Sequence, residues 1–431
     1  VFLVYVILAH LAFLLVLPAL LLHPKLREGF GARLGRLPSG WPGLTGRPVV
    51  WAHAASAGDV LSLEPVLQEL RALRPDCAVL LTTVTSSGMA VIRRGGLPAD
   101  ACGFLPYDLP WAVGRVMRRV RPDLLLLEYT EVWPALLRGA RLHGARVVLV
   151  NGRFDERALG RYRFLYRLIG NPLRHLDRLC MRTPEEAEHA RAIGADPERI
   201  LVTGNSKFDR SARLVPTPPG ELTALAAELR LAPGARLWVA GSTHEGEEGP
   251  LLEVFASLRA DAPDLKLVLA PRYPERAPRV LALARERGLR AAARSAPAGD
   301  WEVLVLDGVG ELIRMYELAS VVFVGGSFVA RGGQNILEPA ACGKPVLFGP
   351  HMHNFRDAVA VLLGRGGLQV PDPERLARTL GRLLADPAAL ERLGQLARES
   401  ARAHTGASRR AAEAAAACLP APATPAVGGA P

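Results

Sequence analysis

The sequence predicts an α/β protein of two doubly wound, Rossmann-like domains in series behind an apolar N-terminal helix, and three observations predict it. At 431 residues the chain exceeds the size at which a single hydrophobic core stops growing, so two packed domains are expected. From residue 49 short β-branched or Leu-rich runs alternate with longer amphipathic stretches, the pattern of parallel strands joined by crossover helices. The segment RLVPTPPGE around 213–221 then breaks the periodicity with its prolines and divides the alternation into two halves.

The first element is the run 1–22, VFLVYVILAHLAFLLVLPALLL, which carries no formal charge apart from His10 and is about as long as a bilayer-spanning helix. Lys25, Arg27, Arg33 and Arg36 follow at once. Positive charge after the apolar run, and not before it, speaks against a signal peptide and predicts that the body of the protein lies on the cytoplasmic side. A membrane anchor with a basic juxtamembrane segment is therefore expected over 1–35. Pro18 and His10 weaken a straight span, which leaves an interfacial helix open beside a spanning one, and a buried core helix is the plainer alternative.

The runs VVWAHA, AVLLTTV, LLLLEY, RVVLVN, RLCMRT and ILVTGN supply strands for a first domain over 36–212. A linker is expected over 213–230. LWVAG, KLVLAP, VLVLD, VVFVGG and PVLFG supply a second domain over 231–417, with helix over 388–417. The small, Pro-rich, uncharged end 418–431 predicts a disordered tail.

A net charge of +11 favours anionic partners. The basic residues recur along the whole chain without a recognition helix, zinc knuckle or aromatic-basic sheet motif, so membrane lipid or a phosphate-bearing ligand is expected and nucleic acid is not. Five widely spaced cysteines without a CxxC pair argue for a reducing compartment and against a disulfide framework or zinc site. Neither a GxGxxG fingerprint after the first strand nor a Walker loop is present, which removes the usual support for a dinucleotide oxidoreductase or a P-loop ATPase. No Asp-x-Asp motif appears, so no metal and no cofactor are expected.

Ligands of open parallel sheets bind beyond the carboxyl ends of strands, which directs attention to the loops that follow them. After VVWAHA, Asp59 reads either as an ordinary helix cap or as a base that takes the proton of an attacking hydroxyl. Arg272, after KLVLAP, is either a surface charge or a phosphate contact. The run Gly325–Asn335 holds four glycines and leads into a helix predicted to begin at Asn335, whose N–H groups suit an anion and whose Glu338 suits sugar hydroxyls.

Taken together, WAHAASAGDV, PYDLP, TEVWPALL, VLVNGRFDER, VTGNSKFD, VAGSTHEGEE, LAPRYPER, GELIRMY and VGGSFVARGGQNILEPAACGKPVLFGPHMHNF occur in an order and at a spacing that resemble the 3-deoxy-D-manno-octulosonic acid (Kdo) transferases, from the N-terminus to about residue 365. The resemblance implies a GT-B arrangement of the two domains and an inverting glycosyltransferase of lipopolysaccharide core biosynthesis at the cytoplasmic face of the bacterial inner membrane. It implies a CMP-Kdo donor, a lipid A precursor as acceptor on the N-terminal domain, and Pro271, Arg272, Gly310, Glu311, Leu312, Asn335, Ile336, Leu337 and Glu338 as the nucleotide contacts. On matching positions Asp59 is the base, Lys207 stabilises the transition state and Glu131 is a retained catalytic carboxylate. Two departures stand out. The family's base is a glutamate where this chain has Asp59, and the family's E-T-E reads Tyr129-Thr130-Glu131 here. Transfer of another CMP-nonulosonic acid, transfer to another acceptor, a non-catalytic nucleotide- or lipid-binding paralogue and a sugar-nucleotide epimerase are the alternatives.

Overall fold

The structure is a computed structural model and describes residues 2–23, 27–36, 47–232, 234–297 and 299–421. Lys25 of the basic segment, and the tail beyond Ala421, lie outside the described residues. The chain divides into two compact units, Val1–Arg210 with Thr405–Pro431, and Ser211–His404.

The first unit is built on seven parallel strands: β1 (Val49–His53), β2 (Ala78–Thr83), β3 (Ala101–Phe104), β4 (Leu124–Glu128), β5 (Arg146–Gly152), β6 (Arg178–Met181) and β7 (Ile200–Val202). Their order is β3-β2-β1-β4-β5-β6-β7. The central strands are apolar at nearly every position because helices cover both faces, which is why LLLLE and RVVLVN show no alternation. Trp51, Leu80, Leu125 and Val147 fill one side of the sheet. Val50, Leu81, Leu126 and Val148 fill the other.

That second side is closed by the helix Ala407–Ala416, which the sequence reading placed in the second domain. Its Ala411, Ala412 and Ala415 are buried against Val60, Leu63 and Leu67 of the helix Ala57–Leu73. Small side chains on one stripe allow this close approach. Asp209 receives the N–H of Ser408 at 2.8 Å and its hydroxyl at 2.9 Å, and so caps the returning helix. The stretch 388–417 is helical as expected and forms two helices, Pro387–Arg402 and Ala407–Ala416, separated at Gly406 with φ 90°. Of the predicted tail, Cys418–Ala421 are described and Leu419 is buried.

The helix Phe2–Leu22 has a mean hydropathy of 2.5 over its most apolar window and is long enough to cross a membrane. One stripe, Phe2, Tyr5, Val6, Ala9, His10, Phe13 and Leu17, is half-buried, whereas Leu3, Ile7, Leu11, Leu15 and Leu22 are exposed. The Tyr5 hydroxyl donates to Asp108, and the Phe13 and Tyr107 ring centroids lie 5.3 Å apart. Asp108 in turn accepts the N–H groups of Ala135 and Leu136 at 2.9 and 2.7 Å, at the start of the helix Pro134–Leu142. Burial pushes its carboxyl above the ordinary aspartate range.

The second unit has β8 (Leu237–Thr243), β9 (Lys266–Pro271), β10 (Ala291–Ala293), β11 (Val303–Val305), β12 (Val321–Val324), β13 (Val346–Phe348) and β14 (Gly367–Gln369), all parallel, in the order β10-β11-β9-β8-β12-β13-β14. Within the predicted linker lies the helix Pro219–Glu228, held by Leu225 and by a bond from the Trp301 indole N–H to the Leu229 carbonyl at 3.0 Å. The expected α/β fold of two Rossmann-like units is the one observed.

Candidate active site

In each sheet the strand order reverses at one point, and the segments that leave the two strands there diverge, as they do beside ligand sites of open parallel sheets. In the first unit the strands are β1 and β4, and the segments that follow them carry Asp59, in the first turn of a helix, and Glu131. In the second they are β8 and β12, and the loops are Thr243–Glu247 and Gly325–Gly333.

Asp59 is the third residue of the helix Ala57–Leu73. Its Oδ2 accepts the Ser56 N–H at 3.0 Å and the Ser56 hydroxyl at 2.6 Å, a capping box. Glu131 is only partly exposed; its Oε2 accepts the Trp133 indole N–H at 2.7 Å and lies 3.3 Å from Nε2 of His53, the last residue of β1. The other imidazole nitrogen of His53 lies 3.1 Å from the Thr82 hydroxyl. His53 is wholly buried and escaped the sequence reading, although its place at the carboxyl end of β1 is a signal that could have found it.

Behind Asp59 sits a closed polar cluster. The Asn151 amide donates to both oxygens of Glu128, at 3.1 and 2.9 Å, and to the Ser206 hydroxyl at 2.6 Å. Its oxygen accepts the Ser206 N–H at 2.9 Å, and the Ser206 hydroxyl donates to the Ser62 carbonyl at 2.6 Å. Ser62 lies one turn beyond Asp59, and Lys207 follows Ser206 at the start of the helix Ser206–Arg213, so the cluster ties together the two helices that carry them. Burial raises the Glu128 carboxyl to about 8; the Asn151 bond opposes that rise, the Asp59 charge adds to it and Lys207 lowers it. Both proposed catalytic groups therefore act electrostatically on one buried acid.

Tyr129, next in the chain, adopts φ 66°, a backbone region that costs a side chain about 1–2 kcal/mol. The turn sends its ring away from Glu128. The Arg153 guanidinium donates to the Tyr129 hydroxyl at 2.6 Å, and the guanidiniums of Arg153 and Arg182 lie 5.8 and 5.5 Å from its ring centroid. Glu186 accepts from Arg182 at 2.7 and 3.2 Å.

In the second unit Glu247 organises the glycine loop. Fully buried, it accepts the N–H groups of His244 at 2.8 Å, Gly326 at 2.7 Å, Ser327 at 3.0 Å and Phe328 at 2.9 Å. Gly325 has no room for a Cβ, which would meet the Ser242 carbonyl at 2.7 Å. Pro271 ends β9, and the exposed Arg272 that follows anchors its N–H on the Thr243 carbonyl at 2.9 Å. Its guanidinium lies 5.7 Å from the Tyr273 ring, which meets the His244 ring edge-on at 5.8 Å. Gly310, with φ 103°, and Glu311 precede the helix Leu312–Leu318, and Glu311 pairs with Arg294 at 2.9 Å. The helix predicted to begin at Asn335 begins at Leu337 and runs only to Ala341. Asn335 caps it by accepting the Leu337 N–H at 3.0 Å, and its amide donates to Glu338 at 3.0 Å. Ile336 and Leu337 are buried beneath. Asp59, Glu131 and Lys207 thus belong to the first unit, and all nine residues expected around a nucleotide belong to the second. Among the described residues, no group of three or more His, Cys, Asp or Glu side chains is arranged to hold a metal ion.

The family model described as 3-deoxy-D-manno-octulosonic-acid transferase (kdotransferase) matches residues 28–210. A 3-deoxy-D-manno-octulosonic acid transferase of Bordetella pertussis is 36% identical over 399 residues, covering 89% of this chain and 90% of its own length. The chain belongs to the Kdo transferase family. The transferase of the same description from Haemophilus influenzae is 30% identical, covering 84% of this chain and 85% of its own.

Kdo transferases are glycosyltransferases, and this chain is one. In fold it is similar to the UDP-GlcNAc 2-epimerase of Neisseria meningitidis, with a TM-score of 0.62, 14% identity and coverage of 85% of this chain and 99% of that one, a likeness of fold alone. Within the Kdo transferase pattern the two departures have separate structural consequences. Asp59, where the resemblance implies a glutamate, ties one oxygen into the cap. Tyr129, where the resemblance implies a glutamate, offers a hydroxyl that holds Arg153, while the neighbouring Glu128 is turned into the buried cluster.

Proposed function

We propose that the protein is an inverting transferase that moves Kdo from CMP-Kdo to a hydroxyl of a lipid A precursor in lipopolysaccharide core biosynthesis. The 36% identity to the Bordetella pertussis Kdo transferase, extending across both units, carries this reading. The acceptor oxygen attacks the anomeric carbon of Kdo, the bond from that carbon to the CMP phosphate oxygen breaks, and CMP leaves with the electron pair. Asp59 takes the hydroxyl proton on Oδ1, since Oδ2 is engaged by Ser56. Glu131, fixed by Trp133 and His53, positions the acceptor. Lys207 offsets charge growing on the leaving phosphate. Pro271, Arg272, Gly310, Glu311, Leu312, Asn335, Ile336, Leu337 and Glu338 hold the CMP portion of the donor. No metal or other cofactor takes part. The exposed face of the helix Phe2–Leu22 enters lipid and keeps the enzyme at the cytoplasmic face of the inner membrane.

A second reading, transfer of a different CMP-linked nonulosonic acid or use of a different acceptor, is favoured by the altered carboxylates at Asp59 and Tyr129. Detergent-solubilised protein incubated with CMP-Kdo and a lipid A precursor should give acceptor heavier by one or more Kdo residues in mass spectrometry. Absence of product together with turnover of another CMP-nonulosonic acid supports the second reading.

A further inference from the structure

A cavity of about 250 Å³ lies within the first unit, against β1–β3, and the reaction outlined above leaves it without a role. Trp51, Leu80, Met89, Phe104 and Val116 give it an apolar wall, and Gly29 and Ala32 close one side. A methylene takes up about as much space as a water molecule in the liquid, about 30 Å³, so the cavity has room for roughly eight methylenes.

Two continuities give it a direction. Thr82 is in the lining; its hydroxyl accepts the Trp51 indole N–H at 2.9 Å and lies 3.1 Å from the His53 ring nitrogen. His53 is the residue that meets Glu131, so the apolar wall and the acceptor-side carboxylate are separated by one imidazole. Phe104 and Pro106, also in the lining, lead along the chain to Tyr107, whose ring packs on Phe30 and on Phe13 of the apolar N-terminal helix. The lining is thus linked by side-chain contacts both to the helix suited to lipid and to the site suited to a sugar hydroxyl.

The strand beside it leaves the space open. Gly103 pairs with Thr82 in the parallel register, which puts its missing side chain on the same face as Thr82 and Leu80. A Cβ at Gly103 would meet nothing within 4 Å.

We infer that this cavity is an acyl-chain subsite that receives one fatty chain of the lipid acceptor while its sugar head lies at Glu131 and His53. The inference rests on the lipid-acceptor reading above and adds the part of the acceptor that is recognised. An ordered chain places the hydroxyl before Asp59 at a fixed distance from the membrane helix, so the enzyme measures the lipid as well as the sugar.

The test uses the full-length protein in bicelles with two photoreactive probes, a lipid A precursor carrying a diazirine near the end of an acyl chain and a phosphatidylglycerol carrying the same group. The acceptor probe is expected to label peptides containing residues 27–36 or 101–106, and the phospholipid probe is expected to label only the N-terminal helix. Gly103→Leu should abolish the acceptor adduct and Gly103→Ala should reduce it. Each methylene kept out of the cavity costs about fourfold in affinity, so Gly103→Leu should raise KM for the acylated acceptor more than about tenfold. CMP binding and turnover of the deacylated phosphodisaccharide should be unchanged. Equal labelling of the cavity by phospholipid, or acceptor adducts elsewhere only, overturns the subsite. If wild type forms no Kdo product from either acceptor, the transfer reading fails, and the labelling still decides the subsite.

Discussion

Ser56 and Asp59 share a single carboxylate oxygen: Asp59 Oδ2 takes both the N–H and the hydroxyl of Ser56, at 3.0 and 2.6 Å. The side chain proposed as base is therefore also a helix cap, and a substitution must separate the two duties. Asp59→Asn keeps an acceptor for the cap and removes the base, so it should melt within about 1 kcal/mol of wild type while kcat falls about 10²–10⁴-fold. Asp59→Ala should lose a further ~1 kcal/mol of stability. Thermal melts beside the transferase assay decide it, and wild-type kcat in the Asn variant would remove Asp59 from the mechanism. Asp59→Glu should raise kcat if reach is limiting.

Glu128 predicts an unusual pH dependence of stability. Its carboxyl is raised from 4.5 to about 8 by burial, so between those values the folded protein keeps a proton that the unfolded chain has released. Stability from this group is fully present below about pH 4.5 and is lost as pH rises towards 8. Urea midpoints measured between pH 5 and 8 should fall with pH in wild type and fall less in Glu128→Gln, which stays neutral. An identical slope in both would place the titrating group elsewhere.

Four backbone N–H groups converge on Glu247, so Glu247→Ala leaves buried donors unpaired at a cost of about 1–3 kcal/mol each. The glycine loop should lose its shape. CMP affinity measured by calorimetry should drop at least about tenfold, and the melting temperature should fall. Unaltered CMP binding would separate this loop from the nucleotide.

Removing Phe2–Leu22 takes away the Tyr5 bond to Asp108 and the Phe13 contact with Tyr107. The truncated protein should shift from the membrane to the soluble fraction and also melt lower. Membrane recovery equal to wild type would mean that other surfaces hold it there.

Much of the fold was legible because interior parallel strands are buried on both faces, and runs such as LLLLE and VVFV announce themselves. The strands not foreseen were β3, β10 and β14, each at a sheet edge, three or four residues long and made of residues such as Ala, Gly and Gln. Edge strands need only one partner and one covered face, which leaves little trace in local composition. Asp59 was singled out by its position after a strand, and Glu131 by the family resemblance alone. Glu128 was legible only as the neighbour of Tyr129 that points elsewhere on a strand, and Glu247 not at all, because their significance lies in partners 23 and about 80 residues away along the chain. Asn335 lay in the right loop, but the helix after it was placed two residues early, since an Asx cap and a first helical turn draw on the same residue types.

The helix Ala407–Ala416 makes the first unit discontinuous along the polypeptide. On the ribosome, residues 1–210 emerge with the surface around Val60, Leu63 and Leu67 still uncovered, and it stays so until the helix Ala407–Ala416 has been made. Completion of the first unit is thus tied to synthesis of the second, and a message cut short between residues 210 and 407 yields an unfinished first unit whatever the state of the second.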